Sequence, residues 1–230
     1  VAIDSVIITR DSLRAEAEQA TFFEEEEHAI LEQSPVIYYN QNTIRGETVH
    51  LYLEEDNLRE VYIPAGAEVH SLVDGYARAP LSGRPDSLAN TRIIRDTTAA
   101  DTSAYFLQPV TQEDILLGRE LNIWLQDNRI ETIRVSNMAR STYHVFEDSV
   151  YQGINETSGD TIVMKFAAEA DSLEEIQVIG GTRGNFRPHR YNASVDTTVF
   201  YESEKITFII PDRITHLTRE ADVQYKDMEL

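Results

Sequence analysis

The 230 residues carry 40 acidic and 20 basic side chains, six histidines and no cysteine, for a formal charge of −20 at pH 7. That balance argues against a nucleic-acid partner, and the missing thiols exclude a disulfide framework and a thiolate metal site. No run approaches the roughly 18 apolar residues of a membrane-spanning helix; the acidic, lysine-poor composition (Lys165, Lys205 and Lys226) fits a solvated surface of the salt-adapted kind.

Val1 to Ile8 reads as a first strand. Asp11 to Phe23 reads as a second; its alanines also suit a short helix, but β-rich aromatic sequence follows. Glu24 to Glu27 with His28 reads as a solvated turn tip, since neighbouring residues on a turn face different directions and make a poor metal site. Pro35 to Tyr39 is a strand opened by its proline, and Asn40 to Asn42 is a turn. Gly46 to Leu53 and Leu58 to Ile63 form a hairpin that Val69 to Val73 extends. Pro80, Gly83 and Pro85 then break the pattern. Residues 80–117 are expected to be an insertion or long loop, with Tyr105-Phe106-Leu107 tucked back against the body.

Gly118 to Leu125 with Ile130 to Val135 resumes the rhythm, and Gly159 to Phe166 with Leu173 to Val178 repeats it around a turn at Ala167 to Ser172. Gly180-Gly181-Thr182-Arg183-Gly184 lacks the lysine and following helix of a phosphate loop and reads as a bulge or close backbone approach at a sheet edge. Thr197 to Tyr201 is a strand. Ser203 to Ile210 with Ile214 to Leu217 is a worn fourth hairpin, and Ala221 to Tyr225 begins a further strand. Val1 is not a natural start, so the chain is expected to be a mature form or excised segment, continuing past Leu230.

The hairpins repeat. Their return strands space apolar residues alike, at Leu58/Val61/Ile63, Ile130/Ile133/Val135 and Leu173/Ile176/Val178, with a small residue four positions later at Ala67, Ala139 and Thr182. Gly159 follows Gly118 by 41 residues, Ser203 follows Gly159 by 44, and Gly118 follows Gly46 by 72, close to two diluted periods. A recurring unit of this length marks a repetitive β architecture. Each hairpin has one apolar face and needs a neighbour to be stable. The apolar faces line either a packed sandwich core or an open groove for something long and apolar; periodicity alone leaves both readings standing.

Chemistry is sparsely signalled. The histidines are scattered, with His50 and His216 on polar hairpin faces. No serine sits in a nucleophile elbow, and no carboxylate pair is marked out by its context. Nothing calls for a metal or cofactor, and the reading is non-enzymatic. Trp124 faces away from Ile123 and Leu125, as a rim or partner contact or as the cover of an adjacent segment. Asn155-Glu156-Thr157 and Asn192-Ala193-Ser194 match the glycosylation pattern, which matters only in a eukaryotic secretory route.

Asp11 to Ala15, Ala20, Pro35-Val36, Ile44 to Leu53 and Leu58 to Ala67 together resemble the OstA-like family, which includes LptA and the N-terminal domain of LptD; Ser158 to Ile162 and Ala221 to Tyr225 follow the same grammar. The resemblance covers most of the chain outside 80–117. It implies an all-β, open β-jelly roll of stacked antiparallel hairpins, one domain over 1–230, in the periplasm and possibly associated with the outer membrane. Its implied function is binding and transport of lipopolysaccharide or a similar amphipathic lipid. Its implied partners are other jelly-roll transport proteins or a second copy, paired edge to edge. The implied interior lining is Val49, Leu51, Leu53, Val61, Ile63, Leu121, Ile123, Leu125, Ile133, Val135, Ile162, Met164, Phe166, Ile176, Val178, Ile206 and Phe208. The alternative is a structural module of the cell envelope with a packed core and no ligand.

Overall fold

The computed structural model describes residues 1–10, 13–54, 57–80, 93–95, 104–127, 129–168, 172–191, 195–225 and 228–229. Among these there is no helix, and eighteen strands share one hydrogen-bonded sheet. They are β1 (Ala2–Arg10), β2 (Leu13–Phe23), β3 (His28–Glu32), β4 (Val36–Tyr39), β5 (Asn42–Arg45), β6 (Thr48–Glu54), β7 (Asn57–Ile63), β8 (Ala67–Pro80), β9 (Ile93–Arg95), β10 (Ala104–Gly118), β11 (Glu120–Gln126), β12 (Arg129–Glu147), β13 (Val150–Phe166), β14 (Leu173–Pro188), β15 (Val199–Ile209), β16 (Ile214–Thr218), β17 (Asp222–Tyr225) and β18 (Met228–Glu229).

The sheet is folded over along one crease into two walls. The front wall runs from the end of β2 through β3, β6, β7, β11, the start of β12, the end of β13, the start of β14 and the end of β15 to β16. The back wall runs from the start of β2 through β4, β5, β8, β10 and the other halves of β12, β13, β14 and β15 to β17 and the short β18. Strand β1 edges both walls through its pairing with β2. The architecture is an open, folded-over β-jelly roll of antiparallel hairpins, as expected.

The crease explains the repeat. At each crossing, two consecutive residues on one strand bulge opposite a single residue on the next. Asp4-Ser5 stand against Glu18, Asn137-Met138 against Asp160, and Gly180-Gly181 against Glu204. All six bulge residues have positive φ, as do Gln33-Ser34 and Arg219-Glu220 where β3 passes to β4 and β16 to β17. The backbone N–H on the single-residue side is satisfied by a carbonyl of the bulging side. Glu18 donates to Gln33 O (3.3 Å), Glu47 to Ala65 O (3.1 Å), Arg119 to Ser136 O and Asn137 O (both 3.1 Å), and Glu204 to Arg219 O (3.1 Å).

Each of these charged residues follows a small one, in Ala17-Glu18, Gly46-Glu47, Gly118-Arg119, Gly159-Asp160 and Ser203-Glu204. The small residue is needed because its neighbour across the crease is a stiff β-branched side chain. A Cβ on Gly46 would overlap Ile63 Cγ2, one on Gly118 would overlap Val135 Cγ1, and one on Gly159 would lie 2.8 Å from Val178 Cγ1. Past the crease, Ala67, Ala139 and Thr182 are the buried small residues on which the back wall resumes.

Two expectations are corrected. Residues 104–118 are not part of a loop: they form β10, which pairs with β8 continuously from Tyr105↔Pro80 to Gly118↔Ala67. Pro109 and the polar run Thr111 to Asp114 hid the strand, although Phe106 does tuck back and is fully buried. Residues 81–92 and 96–103 lie outside the described residues. Gly180-Gly181 is a bulge, but in the sheet interior between β13 and β15 rather than at an edge.

The distal halves of β8 and β10 form an arm against the β12–β13 turn. Tyr76 N–H donates to Ser149 O (2.8 Å), Gly75 lies under the Phe146 ring, and Arg78 Nη1 donates to Tyr191 O (2.9 Å). Where β12 leaves β10, Asp114 accepts from the His144 backbone N–H (2.7 Å) and meets its Nδ1 (2.8 Å). Burial raises the Asp114 carboxyl above the usual carboxylate range, against the opposing pull of those two bonds.

Gly118→Ala is expected to cost about 1–3 kcal/mol in urea denaturation, as overpacking against Val135 does. In a double-mutant cycle with Val135→Ala, the two changes couple by at least about 0.5 kcal/mol. Gly181→Asn, at φ 53 with nothing within 4 Å of a Cβ, changes stability far less, because asparagine tolerates that conformation. Equal losses at the two glycines are the result that contradicts the crease account.

Candidate functional site

Between the walls the interior changes character along the sheet. At the β1 end small residues let the walls meet: Ala15, Ala17, Ala20 and Ala29 are almost wholly buried beside Leu31, Ile37 and Val49. At the β16–β17 end large side chains hold the walls apart. Tyr201 on the back wall and Phe208 on the front wall meet edge to face at 6.3 Å, and Met164, Phe166, Leu173, Ile210 and Leu217 are only partly buried. A cavity of about 560 Å³ opens there, floored by Ile176, Phe186, Val199, Phe208 and Leu217. That volume lies within the ~300–1,000 Å³ usual for small-molecule sites.

The cavity surface is mostly apolar. At the crease, outside the cavity lining, Thr182 Oγ1 donates to Ser203 O (2.6 Å). Within the lining, the Tyr201 hydroxyl donates to Asn155 Oδ1. Burial raises the Tyr201 phenol far above its ordinary value, with the Asn155 bond pulling weakly the other way, so it is a neutral donor. At the rim, Arg213 on the β15–β16 turn pairs with Glu147 and Asp148 on the β12–β13 turn.

The expected lining residues fall into groups. Ile176 and Phe208 line the cavity. Val49, Leu51, Val61, Ile63, Leu121, Ile123, Leu125, Ile133, Val135, Ile162, Val178 and Ile206 are buried, and with Ile176 they form part of one continuous apolar cluster against which Met164, Phe166 and Phe208 pack. Leu53, beyond a register shift at the end of β6, is half-buried and outside that cluster. Sequence reasoning missed Tyr143, Phe186, Val199, Tyr201 and Leu217. For the first four the missed signal was the alternation of back-wall strands past the crease; Leu217 lies on the front wall, in the worn fourth hairpin.

Polar clusters elsewhere are compact. On the outer face of the front wall, His28 Nε2 and His50 Nδ1 share a hydrogen bond at 3.1 Å, with Phe23 and Tyr52 stacked on His28. Burial, then the neighbouring His28, lowers the His50 pKa. Among the described residues no group of three or more His, Asp or Glu is arranged to hold a metal ion. Glu24 to Glu27 form an exposed turn, as expected.

The sequence matches no protein-family model and no curated protein. A solved structure, that of LptH, the LptA-homologous periplasmic component of the conserved lipopolysaccharide transport device from Pseudomonas aeruginosa, aligns with a TM-score of 0.34 and 10% sequence identity, covering 93% of this chain and 94% of that one.

The His50 shift has a sign. A lowered folded pKa means that the unfolded chain takes up the proton first, so stability from this group is full above about 6.5 and is lost as pH falls from there through the lowered folded value. Compared with His50→Phe, which keeps a ring in the stack, the wild type is expected to lose urea stability between pH 7.5 and 5.5. Parallel pH profiles for the two proteins contradict the assignment.

Proposed function

We propose that this chain binds the acyl portion of an amphipathic lipid between its walls and passes it on without chemical change. Lipopolysaccharide is the lipid that the OstA-like resemblance implies, and the periplasm is the compartment. The observation that carries the reading is the apolar cavity between the walls at the β16–β17 end. Each methylene buried there contributes about 0.8 kcal/mol, so a chain of ordinary length gains enough to offset the cost of ordering it. The cavity offers no assembled nucleophile, metal site or acid–base pair among the described residues, and a binding role asks for none.

Transfer between molecules would use the sheet's ends. Among the described residues strand β1 pairs only with β2 and exposes Ile3 and Ile7, while β16 and, beyond β17, the short β18 end the two walls at the other side. Open edges accept a further strand, so we place edge-to-edge pairing with another jelly roll, or a second copy, at these strands.

The packed β1 end favours a second reading, a structural envelope module without ligand. Photo-crosslinking residues separate the two. Placed at Phe208 or Leu217 they are expected to capture lipopolysaccharide or a simpler acyl amphiphile, whereas at Ile123, in the packed region, they stay silent. Phe208→Asp should weaken capture while the chain remains folded by far-UV circular dichroism. No capture at either cavity position, with unfolding of Phe208→Asp, would leave the structural module as the reading.

A further inference from the structure

We propose that Arg213 is a latch across the open side of the cleft, released when an anionic head group on the bound chain takes its guanidinium from Glu147 and Asp148. The inference deepens the lipid-binding reading and rests on it. Opposite the crease the two walls are free to part. Arg213 projects from the β15–β16 turn of the front wall, where its backbone N–H closes the turn onto Ile210 O (3.3 Å) at φ 57. Its Nη1 donates to Glu147 Oε1 and its Nη2 to Asp148 Oδ1 (3.4 Å), both carried by the β12–β13 turn of the back wall. The other ion pairs among the described residues join neighbouring strands or one strand to itself, so these bonds alone tie the two rims by charge.

Both Arg213 and Glu147 line the cavity, so the latch lies where the head of a chain seated on Phe208 and Leu217 would emerge. The Arg213 side chain is 58% exposed and that of Asp148 89%. An exposed pair is weak and screened by salt, and its carboxylates return to water at little cost once released. A carboxylate or phosphate offers the guanidinium fork two oxygens on one rigid group, a better match than two separate side chains. Until the guanidinium is surrendered, Glu147 and Asp148 repel an incoming anion. Empty and loaded states therefore favour opposite positions of the same side chain.

The test uses three ten-carbon probes, decyl phosphate, decanoate and uncharged decanol, titrated calorimetrically at low and high salt. Because the chain has no cysteine, spin labels at Ser149→Cys and Asp212→Cys report the rim-to-rim distance. In the wild type the anionic probes are expected to bind more tightly than decanol and to lengthen or broaden the rim distance, which decanol does not. Arg213→Gln should lower the anionic-to-neutral affinity ratio about tenfold, the scale of a charge-assisted contact, and broaden the rim distance with no ligand present. Glu147→Gln with Asp148→Asn should raise affinity for both anions by removing the competitor. A stronger response to decyl phosphate than to decanoate assigns the head group as phosphate, and the reverse as carboxylate. Decanol binding with an affinity ratio that Arg213→Gln leaves unchanged, or a rim distance indifferent to the anions, overturns the latch alone. If no probe binds, decanol included, the lipid reading of the cleft falls and the latch with it.

Discussion

Every strand that crosses from one wall to the other must break its pleat at the same level, and the structure meets that constraint with a two-against-one bulge repeated along the crease. The doubled side takes positive φ, which falls on Asn137, Ser5, Ser34, Gly180 and Gly181 as well as on less tolerant residues. The single side points outward and must be polar, hence Glu18, Glu47, Arg119, Asp160 and Glu204. The residue before it faces a stiff side chain across the bend and must be small. Misplacing one bulge by a residue would turn the apolar face of the next strand segment to solvent, so the crease fixes both the fold of the sheet and the side that becomes the interior.

This is why so much of the fold was legible in the chain. The small–charged pair at Gly46-Glu47, Gly118-Arg119, Gly159-Asp160 and Ser203-Glu204 marked the hairpin starts, and the intervals between them gave the repeat. Ala17-Glu18 is a further copy, obscured because alanine also suits a helix. The hairpins were read as the whole unit, whereas each unit continues past the crease into the back wall. Residues such as Tyr201, Phe186 and Val199 therefore escaped notice, since their strands carry charged and glycine-rich sequence whose apolar alternation is diluted. Strand β10 is hidden for a related reason: a proline and a polar run imitate a loop when the partner strand that fixes their register, β8, ends at Pro80, far back along the chain. The cavity itself was not legible, because an inward-facing isoleucine looks the same whether its opposite number is alanine at contact or phenylalanine held off by a neighbour.

Charge enters the structure as a boundary condition. Most carboxylates stand on outer faces, turns and the crease, where water and salt screen them, and the sheet interior takes almost none. Asp114 is an exception, partly buried where the arm departs and held by two bonds from His144. It occupies the point at which β12 loses β10 as a partner, so a side chain supplies the acceptor that the missing strand would have supplied. The departure from the repeat is thus sealed locally, and the regular sheet resumes at β13.

The taper of the interior follows from side-chain volume on a fixed frame. Two walls joined at one crease behave as leaves of a book: the filling determines the angle. Alanines at 15, 17, 20 and 29 leave the leaves nearly closed at the β1 end, and from there Val49, Ile63, Leu121 and Val135 fill the remaining space to 0% exposure. At the other end Tyr201, Phe208 and Phe186 are too large to interdigitate and too few to fill the gap they border. An apolar gap that remains open to solvent is unfavourable for an isolated core but suited to an apolar guest. The same sheet therefore gains its stability at one end and keeps room for cargo at the other, and the crease lets both angles coexist because each bulge sets its strand's bend locally.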